Sequence, residues 1–465
     1  MIDINSDINI CNLTDNLDRL FQLAGEKIKL ISNNWDPNHG SPVFTVNGKY
    51  TSRGWTEWTQ GFLYGMGLLH FEATGDISSL NFGRGNTISL MSPHLTHIGV
   101  HDHGFNNIST YGNLHWLMRE GKIGYNEWER KFYELALKVS GAVQASRWTE
   151  LPDNLGYIYS FNGPHSLFID TIRSLRILAI SHQLGHYLMG EQDKRISLLE
   201  RLLRHAETTA RYCIYHGSGR DIFDVKGRAA HEAIFNLNSG AYRCPSSQQG
   251  YSPFSTWTRG LAWAICGFAE ELEFLSVLSE SEFDGIKVSD LEGKEAFISR
   301  FRSTAEEIAD YYITNTPSDG IPYWDTGAPG LIHLGDYLNK LADPFNEYEP
   351  VDSSAASITA QGLVRLGMFL KKNGESDKGE YYINAGLKIA LTLFCEPYLS
   401  TDPEHQGLIL HSVYHRPNGW DHIPNDRKVP CGESSMWGDY HALELGVLIQ
   451  RLLAGGYYQF FISPC

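Results

Sequence analysis

Apolar residues recur at helical spacing along most of this chain, whereas strand-type alternation is scarce. The periodic segments cover residues 17–31, 62–73, 128–139, 165–187, 191–215, 258–279, 293–314, 353–373, 376–398 and 438–454. An α-helix turns once every 3.6 residues, so apolar residues at steps of three and four form one face. In segment 128–139 that apolar face consists of Trp128, Phe132, Leu135, Ala136 and Val139. The pattern predicts an all-α chain.

The helices alternate in the residues that precede them. Every second helix begins with polar or aromatic residues in otherwise apolar surroundings, and these entrances begin at Trp58, Asp102, Phe168, Trp257, Asp352 and Trp437. Each interval between them has room for two helices and their loops. A unit repeated six times predicts a closed array, the (α/α)6 barrel or six-hairpin toroid. An open α-solenoid is the alternative, but it gives no reason for carboxylates and tryptophans to gather at the entrances.

Composition is consistent with the predicted barrel and limits the number of domains and the kinds of partner. The 465 residues are 42% apolar, enough for a large core, and no Pro/Gly/Ser-rich linker divides them. We expect a single barrel domain over residues 1–465, with residues 1–50 forming a lead-in and an outer helix. The net charge of −16 argues against a nucleic-acid partner.

Cysteine usage and the chain start indicate the compartment. The seven cysteines are odd in number and widely spaced, and no C-x-x-C occurs, which favours a reducing, cytoplasmic location. The first residues lack the basic and apolar regions of a signal peptide, and no apolar run is long enough to cross a bilayer. We therefore expect no membrane partner.

Residues 255–263, Ser-Thr-Trp-Thr-Arg-Gly-Leu-Ala-Trp, are the most informative stretch of the chain. Trp257 and Arg259 lie at the start of a predicted helix, where side chains can face a ligand. An indole can stack on the apolar face of a sugar, and a guanidinium can bind a carboxylate through two hydrogen bonds. This pair suits a sugar acid, although a core tryptophan and a structural ion pair would give the same residues.

Two aspartates are candidates for acid–base chemistry. Asp102 lies in His101-Asp102-His103-Gly104, and Asp170 follows Phe168 and Ile169. Apolar neighbours would desolvate Asp170 and raise its pKa. One protonated and one ionised carboxyl is the arrangement of glycoside hydrolysis, although capping or ion pairing would also explain each residue.

The histidines invite a metal site but do not fit one. His94, His97 and His101 follow steps of three and four residues, yet no H-E-x-x-H or comparable motif is present. We predict no metal and no other cofactor. His231 is either a contact to a sugar hydroxyl or a surface residue.

Together these residues resemble the unsaturated glucuronyl hydrolases, glycoside hydrolase family 88. The likeness runs from about residue 55 to 452. It rests on the colinear segments 57–62, 74–76, 101–105, 168–170, 249–251, 255–263, 323–325, 352–360 and 437–440.

The resemblance implies an (α/α)6 barrel without a cofactor that acts on oligosaccharides carrying a 4,5-unsaturated uronic acid at the non-reducing end. By the match, Asp170 protonates C4 of the vinyl ether and then activates the water that adds at C5, and Asp102 is the second essential carboxylate. The hemiketal opens and releases the rest of the chain. The residues that would bind the substrate are Trp58, His101, His231, Gln249, Trp257, Arg259 and Trp263.

The chain departs from the family pattern around the site. Gln248 and Leu261 replace a usual His and Gln, Pro253-Phe254 replaces an acidic pair, and the loops around 80–100, 216–245 and 326–350 look long. An exo-acting β-glucuronidase for saturated glucuronic acid is therefore the alternative enzyme, and a non-catalytic carbohydrate-binding toroid the alternative of another class. The expected partner is an oligosaccharide with a terminal uronic acid, bound by a monomer or homodimer.

Overall fold

The computed structural model describes residues 1–4, 8–54 and 57–462. In these ranges helices dominate. In chain order they are α1 Thr14–Asn34, α2 Gln60–Thr74, α3 Ile77–Leu90, α4 Ser92–Leu95, α5 His103–Asn107, α6 Asn113–Arg119, α7 Glu127–Ser146, α8 Thr171–Ser174, α9 Arg176–Gln183, α10 Leu198–Tyr212, α11 Thr258–Val277, α12 Lys294–Thr314, α13 Ser353–Lys372, α14 Ser376–Leu393 and α15 Met436–Leu453.

The strands are short, antiparallel and confined to connections between helices. They are β1 Phe44–Val46, β2 Lys49–Thr51, β3 Trp148–Glu150, β4 Gly156–Ile158, β5 Ser166–Phe168, β6 Leu188–Met189, β7 Arg195–Ile196, β8 Glu232–Phe235, β9 Tyr242–Ser246, β10 Lys287–Val288 and β11 Leu291–Glu292. Among them β5, β8 and β9 form a three-stranded sheet beside the start of α8, with Phe168 opposite Glu232.

Six inner helical segments form a closed ring. They are α2, α5–α6 joined through a π-helical turn at Ile108–Gly112, α8–α9, α11, α13 and α15. Each packs against the next, and α15 packs against α2. The outer helices α3, α7, α10, α12 and α14 each follow an inner one, and α1 packs outside α15 and α2. The predicted (α/α)6 barrel is confirmed, and its single-domain extent over 1–465 stays a prediction.

Side-chain caps fix where several helices begin. Asp76 accepts the backbone N–H groups of Ser78 and Ser79, each at 3.1 Å, at the start of α3. Asp352 does the same for Ser354 and Ala355 at the start of α13. The first N–H groups of a helix have no partner within it, so such caps stabilise the helix end by about 1 kcal/mol.

Helix α3 corrects the expectation of a long loop at 80–100. Its sequence contains Gly83, Gly85 and several small polar residues of low helix propensity. The glycine at 83 lies against the backbone of α2, where an added Cβ would be 2.7 Å from the carbonyl oxygen of Tyr64. Close packing on α2 therefore stabilises a helix that local propensity does not predict.

Helix α7 exists as predicted, but part of its apolar stripe faces outward. Trp128 is 83% exposed and Leu135 60% exposed, while Tyr133 and Leu137 are buried. The buried face of α7 also includes small and polar residues, such as Ser140 and Gly141, packed near α9. Apolar periodicity thus located the helix and misassigned its inner face.

An ionic cluster fills the barrel interior below the helix entrances. Arg173 lies 3.0 Å from both Glu270 and Glu444, and Arg176 lies 3.3 and 3.1 Å from the same two carboxylates. Arg365 pairs with Glu273 at 2.8 Å. All are buried. The inner ring is therefore joined across its axis by charges with multiple partners.

No helix within the described ranges combines the length and apolar character needed to cross a membrane.

Candidate active site

A pocket of about 720 Å³ lies at the end of the barrel where the inner helices begin. Eight of the nine predicted site residues line it: Trp58, His101, Asp102, Asp170, Gln249, Trp257, Arg259 and Trp263. The ninth, His231, lies directly behind this wall, with its ring centroid 4.7 Å from that of Trp257. The fold thus brings together residues that are up to 205 positions apart (58 to 263). Their functional roles stay predictions.

The two candidate carboxylates are the residues that immediately precede α5 and α8. Asp102 and Asp170 are both buried. Nε2 of His101 lies close to both, 3.2 Å from an oxygen of Asp170 and 3.8 Å from an oxygen of Asp102. The pair therefore shares one cationic or hydrogen-bonding partner.

The protonation of this cluster corrects the expectation for Asp170. Burial raises the pKa of that carboxyl, but the hydrogen bond and charge of His101 outweigh it, and the pKa of Asp170 is lowered. In turn, burial lowers the pKa of His101, but the charge of Asp102 and the bond to Asp170 outweigh burial and raise it. The apolar neighbours of Asp170 predicted the wrong direction for its pKa shift, because the sequence did not show the contact with the imidazole of His101.

His231 is held as a neutral hydrogen-bond donor. Its Nδ1 accepts the backbone N–H groups of Gln248 and Gln249 at 3.0 and 3.4 Å. Since that nitrogen supplies a lone pair, the hydrogen of the neutral ring lies on Nε2, which is buried and has no hydrogen-bond partner among the described residues. Burial lowers the pKa of His231 to about 4. The ring is therefore neutral near pH 7.

Arg259 is more constrained than the sequence suggested. Its guanidinium binds Asp352 at 2.9 Å, Gln249 Oε1 at 2.8 Å, the carbonyl of Tyr414 at 2.7 Å, and the carbonyl of Val413. It also lies over the ring of Trp257, 4.7 Å from the centroid. Arg259 thus fixes the pocket wall, and much of its hydrogen-bonding capacity is used within the protein.

Aromatic rings form much of the remaining wall. Trp58 is half-buried and stacks on Trp437, with centroids 5.0 Å apart and planes at 27°. Trp263 packs against Phe105 and His441, with centroids 4.8 and 5.0 Å apart. Aromatic rings that line a pocket beside carboxylates are suited to a sugar, which has apolar C–H faces and hydroxyl edges.

Several lining residues were not predicted as site residues: His97, Phe161, Gln248, Tyr414, His415 and Trp420. Most lie in loops, where no periodicity identifies a face. A dense group of aromatic and imidazole side chains at 414–420, shortly before the last inner helix, was the available signal.

The histidines at 94–103 make separate contacts. His103 bonds Ser140 through Nδ1 and the carbonyl of His97 through Nε2, each at 2.9 Å. His94 contacts the side chain of Asn106. Within residues 1–4, 8–54 and 57–462, no group of three or more His, Cys, Asp or Glu side chains is arranged to hold a metal ion.

Comparison with known proteins gives matches over nearly the whole chain. The unsaturated glucuronyl hydrolase of Bacillus sp. (strain GL1) is 26% identical over 425 residues, which cover 89% of this chain and 91% of that protein. The chain is a relative of the unsaturated glucuronyl hydrolases. The unsaturated chondroitin disaccharide hydrolase of Streptococcus pyogenes serotype M1 is 23% identical, over 92% of this chain and 90% of that protein.

Solved structures agree on the fold. An unsaturated glucuronyl hydrolase specific for heparin superposes with a TM-score of 0.70 at 18% identity, covering 96% of this chain and all of that one. No family model matches the chain. The resemblance found in the sequence is thus confirmed by relatives that span its length.

Proposed function

We propose that this protein is an unsaturated glucuronyl hydrolase, which removes a 4,5-unsaturated uronic acid from the non-reducing end of an oligosaccharide. The observation that carries the proposal is the pocket itself, where two buried carboxylates lie close to the same nitrogen of His101 and tryptophan rings form part of the lining. Relatives with this activity in their names, matched over about nine-tenths of the chain, support it.

In the proposed reaction Asp170 protonates C4, and the positive charge that develops at C5 is captured by water. The same carboxylate accepts the proton that the water loses. The resulting hemiketal opens, and the rest of the oligosaccharide leaves. Asp102 holds the sugar hydroxyls and, through His101, the orientation of Asp170. General acid catalysis of this kind contributes about 10²–10⁴-fold.

The neighbouring residues would position the ring. Trp58 presents a half-buried indole face, Nε2–H of His231 offers a fixed donor, and Gln249 is held by Arg259 at 2.8 Å. Because the substrate carries its own carboxylate, its entry raises the pKa of Asp170 by like-charge repulsion. That change favours the protonated acid that the reaction needs.

The cellular and quaternary setting are further parts of the proposal. We propose a cytoplasmic protein, on the basis of its seven dispersed cysteines, and a monomer or homodimer. Size-exclusion chromatography with light scattering tests the oligomeric state.

Ultraviolet absorbance tests the reaction directly, since only an unsaturated uronide has the conjugated enoate band. Purified protein is mixed with lyase-generated disaccharides and, in parallel, with a saturated β-glucuronide. We expect loss of absorbance with wild type and a fall of at least about 100-fold in Asp170→Asn. Asp426→Asn, which removes an exposed carboxylate, is the matched control and should keep full activity.

The alternatives give different results. Unchanged absorbance together with glucuronic acid released from the saturated compound would identify an exo-β-glucuronidase. Binding of the disaccharide without turnover of either compound would identify a carbohydrate-binding toroid. Either result would refute the proposal.

A further inference from the structure

His101 is the side chain that joins the two carboxylates, and its surroundings leave it little freedom. It is 1% exposed. Its ring packs against those of Phe161 and Phe168, with centroids 5.9 and 5.6 Å away. Nε2 makes the 3.2 Å contact to Asp170, while Nδ1 is buried without a hydrogen-bond partner among the described residues. The ring can therefore exchange a proton with Asp170 without moving.

The charges around His101 and Asp170 favour a state in which these two side chains share one proton. Asp102 and Asp170 stabilise a cationic imidazole, while Arg147 opposes it. Arg259 favours the ionised form of Asp170. The other titratable neighbours, His231 and His205, have pKa values lowered by burial to about 4 and about 3, so they are neutral near pH 7. Two carboxylates thus face His101, and Arg147 opposes their effect on its charge.

This arrangement poses a problem for the proposed reaction. Asp170 must carry a proton to act as an acid, yet in the free protein its contact with His101 favours the ionised carboxylate. A proton taken from bulk water would have to enter a buried site. The imidazole of His101, 3.2 Å from Asp170, is a group able to hold one.

We propose that His101 and Asp170 act as one proton-holding unit, in which His101 keeps the proton in the free enzyme and passes it to Asp170 when the uronate binds. The inference rests on the proposed function. The Nε2–H bond breaks as the O–H bond of Asp170 forms. Asp170 then gives this proton to C4, recovers one from the water that adds at C5, and returns it to His101 on product release. His101 is a positioning residue, because it acts through Asp170.

The pH dependence of catalysis follows from this coupling. When two titrating groups interact strongly, the apparent pKa values belong to the pair. In wild type the last proton is lost with an imidazole-like value, since the pKa of His101 is raised from 6.5. Without the imidazole the proton has only the carboxyl of Asp170, for which the ordinary value is 3.8 and burial the main raising influence. The alkaline limb of kcat/KM should therefore move to lower pH.

The experiment compares wild type, His101→Gln and His103→Gln on an unsaturated disaccharide between pH 5 and 9. We expect His101→Gln to move the alkaline limb of kcat/KM down by at least about one pH unit, a tenfold relative loss at a fixed alkaline pH. At its new optimum, kcat should stay within about tenfold of wild type. His103 is two residues away and bonds Ser140 and a carbonyl, so its variant controls for loss of a buried histidine and should keep the limb.

A second measurement needs no turnover. Histidine-selective ¹⁵N NMR of wild type should show the His101 imidazole titrating above 6.5, and Asp170→Asn should lower that value. An unmoved limb in an active His101→Gln, or a His101 signal that titrates below 6.5 in wild type, would overturn the inference. An inactive wild-type protein would refute the proposed function instead, and the NMR titration would still report the state of the pair.

Discussion

Replacing Arg259 with methionine separates a structural role from a substrate-binding role. The guanidinium contacts Asp352 at 2.9 Å, and both side chains are at most 2% exposed. Methionine keeps the apolar stem but, within the part of the chain that the structure describes, leaves the Asp352 carboxylate with only its backbone and Ser354 partners. Removing one member of a buried ion pair costs about 3–5 kcal/mol, since the other charge stays buried without compensation.

Thermal unfolding measures this cost. The entropy of unfolding scales with chain length, so for 465 residues a loss of 1 kcal/mol lowers Tm by about 1 °C, and Arg259→Met should lose about 3–5 °C. Arg243→Met removes an exposed guanidinium and should change stability by less than about 0.5 kcal/mol. If Arg259→Met keeps the wild-type Tm while KM rises, the guanidinium is a substrate ligand rather than a support for the pocket wall.

Three further outcomes follow from the core and the buried histidines. Glu444→Gln leaves its two arginine partners without a full counter-charge and should cost about 3–5 kcal/mol in urea unfolding. Lys378→Met removes an exposed lysine from its ion pair with Glu306 and should cost no more than about 1 kcal/mol; similar losses in the two variants would contradict the burial of Glu444. Gly104→Ala places a Cβ against the backbone of α8 and should lower the free energy of unfolding by about 1–3 kcal/mol. Gly85→Ala, with open space around it, should be neutral or stabilising, and equal effects of the two variants would refute the close packing at Gly104. Burial lowers the pKa of His411 from 6.5 to about 4, so its contribution to stability is complete above pH 6.5 and is lost as pH falls towards 4. His411→Gln should therefore reduce the loss of unfolding free energy between these pH values by about 3 kcal/mol. Identical pH profiles of unfolding for the variant and wild type would count against the lowered pKa.

The ring of helices and the residues that line the pocket could be predicted from the sequence, because both depend on the spacing of residues along the chain. Five of the six predicted entrances begin before an inner helix, and the sixth, at Trp437, begins on the second residue of α15. Asp102 and Asp170 stand directly before α5 and α8. Helix α3 could not be predicted from the sequence, because its stability comes from contact with α2. The exposure of apolar residues on α7 could not be predicted either, since burial depends on which neighbours a helix has.

The electrostatics of the site were the least predictable part. Phe168 and Ile169 correctly indicated that Asp170 is buried, but the sign of its pKa shift depends on His101, which is 69 residues away in the chain. Arg259 was expected to bind a ligand, and its bonds to Asp352 and to two carbonyls arise only when α11 meets α13 and the 413–414 loop. A residue type shows what a side chain can bind, and only the fold shows what already occupies it.

Glycines explain why six separate entrances form one pocket. Every interface of the inner ring has a glycine at which an added Cβ would lie unusually close to the neighbouring helix; these residues are Gly61, Gly65, Gly104, Gly267, Gly362 and Gly438. A ring built on such contacts is narrow, so its helix entrances converge. At Gly104 the contact also reaches the chemistry, since Gly104 N–H donates to Ser174 Oγ at 2.9 Å and that hydroxyl donates to the carbonyl of His101 at 3.1 Å. The position of His101 beside the two carboxylates is therefore set by how closely α5 approaches α8, and a wider ring would separate the acid from the group that holds its proton.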